Sequence, residues 1–139
     1  MSCASRYSRW QMGFGKVKRF AGYGIHVGNL KESVDYYRDL LGCELIAKQQ
    51  GVDEDGLFGC GKVEVATNRF SLPGCDAYLE LIDIKHPDKR RRDMSNANPG
   101  TTHVCWYVDD LRATWRSLEA AGVRSVSKSV VEVPNGPME

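Results

Sequence analysis

Hydrophobic and polar positions in the first third of the chain predict a strand followed by a helix. Residues 25–30 are typical of a short strand, and Asn29 can cap a helix that begins at about Lys31. Gly42 is typical of the residue that follows a helix. The apolar face of this helix is formed by three residues at helical spacing, Val34, Tyr37 and Leu41.

Three more strands are predicted after this helix. Segments typical of strands lie at 43–48, 62–67 and 77–84, and a loop rich in glycine and aspartate at 51–61 separates the first two. The segment 77–84 is apolar on both faces, which is typical of a strand that is covered on two sides. Residues 86–100 are polar and predict a long loop.

The same order of elements begins again at residue 101. Residues 101–107 predict a strand, Asp109 or Asp110 can cap a helix, and residues 123–133 predict one more strand or a bent pair of strands. The apolar face of this second helix consists of Leu111, Trp115 and Leu118. The predicted order is therefore β-α-β-β-β followed by β-α-β, an α+β arrangement of two copies of one unit, the second shorter.

Length and composition exclude several classes of protein. The 139 residues are 42% hydrophobic and 27% charged, and 19 basic against 18 acidic residues give a net charge of +1. These values are typical of one folded domain and argue against a nucleic-acid-binding protein. No apolar run approaches the roughly 20 residues that a membrane-spanning helix needs. The five cysteines have no CxxC spacing and no secretory signal is visible, so we expect reduced thiols and a cytoplasmic location.

Residues 1–19 are expected to form a basic N-terminal extension. Residues 1–31 contain six basic and no acidic residues. Within them Trp10, Met12 and Phe14 alternate with other residues at the period of a strand. A solvated tail and an additional strand are both compatible with this pattern, and the tail is slightly favoured.

Glu80 is the first candidate for chemistry. It lies in mid-strand on the same predicted face as Tyr78 and Ile82, among apolar side chains. An unpaired carboxylate in such surroundings is costly, so Glu80 requires a metal ion, a cationic partner or a raised pKa. The pattern is equally compatible with a structural ion pair to an arginine and with a functional site.

Histidines on two other predicted strands are candidate partners of Glu80. His103 lies in the strand that begins the second unit, and His26 lies in the matching strand of the first. A lone histidine in a strand is more often a core residue than a ligand. Imidazole together with a carboxylate, however, suits zinc, nickel, iron or manganese.

Three segments resemble the vicinal oxygen chelate superfamily, which includes glyoxalase I, extradiol dioxygenases and bleomycin-resistance proteins. They are HVGNLKESVDYYRDLLGCEL from His26, AYLELI from Ala77 and GTTHVCWYVDDLRATWRSLEAAGV from Gly100. The resemblance implies an α+β fold over residues 20–139, in which paired βαβββ modules form a curled mixed sheet around one cavity. Module one then covers residues 20–99, and module two, at 100–139, lacks its last strands.

The resemblance also implies a set of metal ligands. In most metal-dependent members, donors on the first and last strands of each module hold a divalent ion in the cavity. Glu80 of the L-E-L strand and His103, eight residues before the leucine of the VDDL motif, match two of the four donors. The first donor position falls on Gly22, and His26 lies on the same face four residues further on. A shifted register would add His26 to Glu80 and His103 as ligands.

Three functions are compatible with these residues. The first is a small-molecule-binding protein with an eroded metal site, its cavity lined by Tyr78, Cys105 and Tyr107 and anchored by Glu80 and His103. The alternative is a divalent-metal-dependent lyase, isomerase or dioxygenase of the glyoxalase type, in which Glu80 is catalytic and moves a proton. The third is a truncated module that serves only in oligomerisation.

The expected partners follow from the incomplete second module. Missing strands expose a sheet edge and an apolar face, which favours association, so we expect a homo-oligomer, most simply a dimer. A partner subunit, exchanged strands or the segment 10–14 would fill the gap. The expected ligand is a small organic molecule, with no nucleic acid and no membrane.

Overall fold

The computed structural model describes residues 17–54, 56–91, 93, 95 and 98–131. The chain divides into two compact units between Lys89 and Arg90, and each unit is described by itself. The segment 10–14, predicted as a tail or strand, lies outside the described residues, as does the end of the strand predicted at 123–133. The boundaries of the extension and of the two modules stay predictions.

The first unit has the predicted order of one strand, one helix and three strands. Helix α1 continues directly into a π-helical segment. The elements are β1 (Gly22–His26), α1 (Leu30–Asp35), the π-helical segment (Tyr36–Leu40), β2 (Leu45–Asp53), β3 (Val63–Ser71) and β4 (Tyr78–Lys85).

These four strands form one open mixed sheet in the order β1-β4-β3-β2. β1 is parallel to β4, and the other two pairs are antiparallel. β1 lies three to four residues earlier than predicted, because Asn29 leaves the strand to cap α1, where its side chain accepts the Glu32 N–H at 3.2 Å. β2 runs on to Asp53, into the segment predicted as loop. The α+β fold class is confirmed.

The core of the first unit lies on one face of the sheet. Phe70, Leu79 and Leu81 are completely buried, and α1 contacts β4. The ring of Tyr37 lies 6.0 Å from that of Phe70, between centroids. Each such buried side chain contributes roughly 1.5–3 kcal/mol relative to exposure. Side chains alternate along β4, so Tyr78 and Glu80 lie on the opposite face, as predicted.

Asp83 is a buried charge on the core side of β4. Its side chain is almost inaccessible, and the Lys85 Nζ donates to Oδ2 at 2.7 Å while the Lys89 Nζ donates to Oδ1. Burial by itself would raise the pKa of Asp83, but the hydrogen bonds and charges of the two lysines hold that pKa below its ordinary value. The carboxylate is therefore ionised and paired in the folded state.

The second unit contains helix α2 (Leu111–Ala120). Asp110 caps it, as one of the two predicted alternatives, and its side chain accepts the Ala113 N–H at 2.9 Å. The strands predicted at 101–107 and 123–133 are wrong as far as residue 131, because the described residues of these segments have no strand structure. A strand needs a hydrogen-bonded neighbour, and apolar alternation alone does not supply one.

No helix within residues 17–54, 56–91 and 98–131 is long and apolar enough to cross a membrane.

Candidate functional site

Glu80 is paired with an arginine. Arg69 on β3 lies opposite Glu80 on β4, and its Nη2 donates to the Glu80 Oε1 at 2.9 Å. The Glu80 side chain is 18% exposed and that of Arg69 is 35% exposed. A carboxylate in apolar surroundings requires a metal ion, a cationic partner or a raised pKa. In this structure Glu80 has the cationic partner.

A tyrosine ring supports the same guanidinium. The Arg69 Cζ lies 4.0 Å from the centroid of the Tyr78 ring, which is the geometry of a cation–π contact. The Arg69 Nε is buried and has no hydrogen-bond partner among the described residues. A buried donor without an acceptor costs about 1–3 kcal/mol, so this position of the Arg69 side chain lowers the stability of the folded state.

The Tyr78 ring also covers Gly22. The two residues are register partners in the parallel pair of β1 and β4. A Cβ added at Gly22 would lie 2.5 Å from the Tyr78 Cε2, well inside contact distance. Any side chain at this position would have to displace the ring, so Gly22 is required by the packing of Tyr78.

His26 is directed to a different neighbour. It lies at the end of β1, opposite Ile82, and its exposed ring packs edge-on against Phe58 with the centroids 5.9 Å apart. Glu80, by contrast, has Gly24 as its register partner on β1. His26 and Glu80 therefore share a face of the sheet but have separate contacts.

The remaining predicted site residues lie in the second unit. His103, Cys105 and Tyr107 occur in a segment without strand structure, and all three are exposed, Tyr107 by 85%. Their predicted place in the lining of a cavity depended on a strand at 101–107, which the structure does not contain. Shared ligation of one ion by His103 and Glu80 stays a prediction.

A cavity of about 720 Å³ lies beside the ion pair. Alternate residues of β3 that share the face of Glu80 form part of its wall: Val65, Thr67 and Arg69. The loop after β2 adds Leu57 and Phe58. The Asp53 carboxylate holds this loop by accepting the Leu57 N–H at 2.9 Å and the Phe58 N–H at 3.1 Å.

Sequence reasoning missed Arg69 as the partner of Glu80. The signal was present, because Arg69 and Glu80 are equally far from the turn at Gly74 and Cys75. An antiparallel hairpin pairs residues that are equally distant from its turn. The loop residues Leu57 and Phe58 had no comparable signal, since a hydrogen-bonded loop places them.

The sequence of the chain matches one known protein family. A model of the Glyoxalase/Bleomycin resistance protein/Dioxygenase superfamily covers residues 23–137. The chain belongs to this superfamily. The resemblance seen in the sequence is thereby confirmed.

Two solved structures share this fold, and a third aligns less closely. A glyoxalase family protein from Bacillus cereus aligns with a TM-score of 0.63 and 20% identity, over 80% of this chain and 76% of that chain. The protein SMU.1112c aligns with a TM-score of 0.52 and 21% identity, over 77% of each chain. A glyoxalase/bleomycin resistance protein from Streptomyces sp. CB03234 gives 0.42 and 22%, over 75% of each chain. No curated protein matches the chain.

The metal site that the superfamily implies does not fit the first unit. Of the two donor positions on β1 and β4, Gly22 offers no donor and is covered by Tyr78, and Glu80 is bound by Arg69. Taken unit by unit, the described residues bring no three His, Cys, Asp or Glu side chains together. A catalytic zinc commonly has three protein ligands. The described residues of the first unit therefore do not supply a complete set of ligands for a metal ion by themselves.

Proposed function

We propose that this superfamily member binds a small organic molecule in the cavity beside Arg69 and Glu80. The observation that carries the proposal is the 2.9 Å ion pair, in which a guanidinium neutralises the one carboxylate of the implied metal site. Arginine stays protonated at every pH of interest, so this positive charge is permanent.

The cavity has the character of a small-molecule site. Its volume of about 720 Å³ lies within the usual range of roughly 300–1,000 Å³ for ligand pockets. Leu57, Phe58 and Val65 supply apolar surface, and the rest of the open cavity is lined largely by polar residues, among them Arg69 and Glu80. Ligand sites combine apolar surface with polar groups that fix the orientation of the ligand, and both are present here.

A divalent ion would have to compete with Arg69 for Glu80. Removing a guanidinium from a mostly covered carboxylate costs its hydrogen bond and its contact with Tyr78. Gly22, at the first implied donor position, has no side chain that could bind the ion and compensate for this cost. These terms favour binding without metal over the alternative, a divalent-metal-dependent lyase, isomerase or dioxygenase.

Metal analysis distinguishes the two functions. Protein purified without chelator or affinity metal is analysed by plasma mass spectrometry, together with Glu80→Gln, His103→Ala and the control His86→Ala. His86 lies in the turn after β4 and has no proposed role. We expect far less than one equivalent of metal in all four proteins. Near-stoichiometric zinc, nickel, iron or manganese that is lost in Glu80→Gln and His103→Ala, but kept in the control, would overturn the proposal.

A further inference from the structure

We infer that the cavity selects a neutral molecule whose polar end has a hydrogen-bond donor next to an acceptor, such as a carboxamide, over an anion of the same shape. This inference rests on the proposed small-molecule binding and adds the chemical class of the ligand. It follows from the charges, the free hydrogen-bonding capacity and the open space around Arg69 and Glu80.

The ion pair leaves the floor of the cavity with no net charge. Any anion that reaches Arg69 also comes close to Glu80, whose Oε1 is 2.9 Å from the guanidinium. Repulsion by the carboxylate then opposes attraction by the arginine. A neutral group meets no such repulsion, so the pair selects against anions.

The other charged residues at the cavity do not favour an anion, because Asp53 is itself negative and Lys48 lies on the other face of the sheet. The Asp53 carboxylate is used by the backbone N–H groups of Leu57 and Phe58. Lys48 borders the cavity, but its register partner is Asn68, the neighbour of Arg69 along β3. Adjacent residues of a strand lie on opposite faces, so the Lys48 side chain leaves the sheet on the other side from Arg69.

Arg69 and Glu80 together match a donor–acceptor pair. Arg69 is 35% exposed and shows one hydrogen bond, although a guanidinium has five N–H groups. Glu80 lies beside it as an acceptor. A carboxamide oxygen can accept from Arg69 while its NH₂ donates to Glu80. A ligand that lacks a hydrogen-bond donor at this end leaves the Glu80 carboxylate without a hydrogen bond from the ligand. Such a ligand binds less tightly, because a covered polar group that loses its hydrogen bonds to water and gains none from the ligand is costly.

The rest of the cavity suits an apolar body. Leu57 is 82% exposed although it is large and hydrophobic, and Phe58 lies next to it in the cavity wall. Opposite Val65, Gly51 on the neighbouring strand has nothing within 4 Å of an added Cβ. The space above Gly51 is therefore open to a ring of the ligand.

Benzamide and benzoate test the selectivity, because they share a ring and differ at the polar end. Each is titrated into the ¹⁵N-labelled full-length protein, and affinities are taken from amide shift changes. We expect benzamide to bind about tenfold or more tightly than benzoate. Glu80→Gln removes the repelling charge and is expected to reverse this order. Equal binding of the two probes in the wild type, or no gain of benzoate in Glu80→Gln, would overturn the inference.

Filling the cavity separates this inference from the proposed function. Gly51→Trp is expected to abolish binding of both probes, and Gly51→Leu serves if the larger residue prevents folding, as judged by spectral dispersion. If neither probe binds the wild type, or if the filled variants bind benzamide normally, the cavity and the proposed function fail. If filling abolishes binding but benzoate equals benzamide in the wild type, only the selectivity fails.

Discussion

Replacing Arg69 by methionine removes the guanidinium but keeps an unbranched side chain of similar length. The variant loses the 2.9 Å hydrogen bond to Glu80 and the contact with the Tyr78 ring. It leaves a carboxylate that is only 18% exposed without its cation. It also removes the Nε–H that has no acceptor within the described part of the chain, which by itself is stabilising.

The magnitude follows from how far the pair is covered. An exposed ion pair contributes about 0–1 kcal/mol, and breaking a fully buried one costs about 3–5 kcal/mol. The pair lies between these limits, because Glu80 is mostly covered and Arg69 is partly exposed. Removal of the unpaired Nε–H returns about 1 kcal/mol. We therefore expect Arg69→Met to lower the free energy of unfolding by about 1–2 kcal/mol.

Urea unfolding followed by circular dichroism at neutral pH measures this loss. The set consists of the wild type, Arg69→Met, the near-isosteric Glu80→Gln and the double variant. We expect the double variant to lose less than the sum of the single losses, with a coupling energy of about 1 kcal/mol. Additive losses, to within about 0.3 kcal/mol, would refute the reasoning, because the two side chains would then be energetically independent.

Three further predictions concern stability. Asp83→Asn should lower the free energy of unfolding at neutral pH, and by progressively less as the pH falls below 3.8. The lowered pKa of Asp83 gives stability that is fully present above its ordinary 3.8 and is lost as the pH falls through the lower folded value, which a series of urea midpoints from neutral to acid pH would show. Gly22→Ala should cost about 1–3 kcal/mol by displacing Tyr78, whereas Gly51→Ala should be nearly neutral in the same unfolding assay. Asp110→Ala should cost about 1 kcal/mol of helix stability, and unchanged thermal unfolding would contradict this.

Features fixed by neighbours in the sequence were predictable. The capping of α1 by Asn29 and of α2 by Asp110 follows from short side chains that satisfy the first free N–H groups of a helix. The two faces of β4 follow from simple alternation, which places Leu79 in the core and Glu80 on the other side.

Features that depend on residues distant in the sequence were not predictable. β1 includes Gly22 and Gly24, residues that weaken a strand by propensity, because the Tyr78 ring needs the space above the first of them. Residues 101–107 alternate like a strand but have no strand structure. Arg69 becomes a site residue only through its register with Glu80.

The cation next to Glu80 is part of the polypeptide. Every folded copy of the protein therefore contains it, whereas the loading of a metalloprotein depends on the metal that a cell supplies. A guanidinium offers directed N–H groups but no vacant coordination position for a ligand. Under the proposed function, in which Arg69 stands in place of a metal ion, the site would work equally well in metal-starved and metal-replete cells but would lack the Lewis acidity of a bound ion.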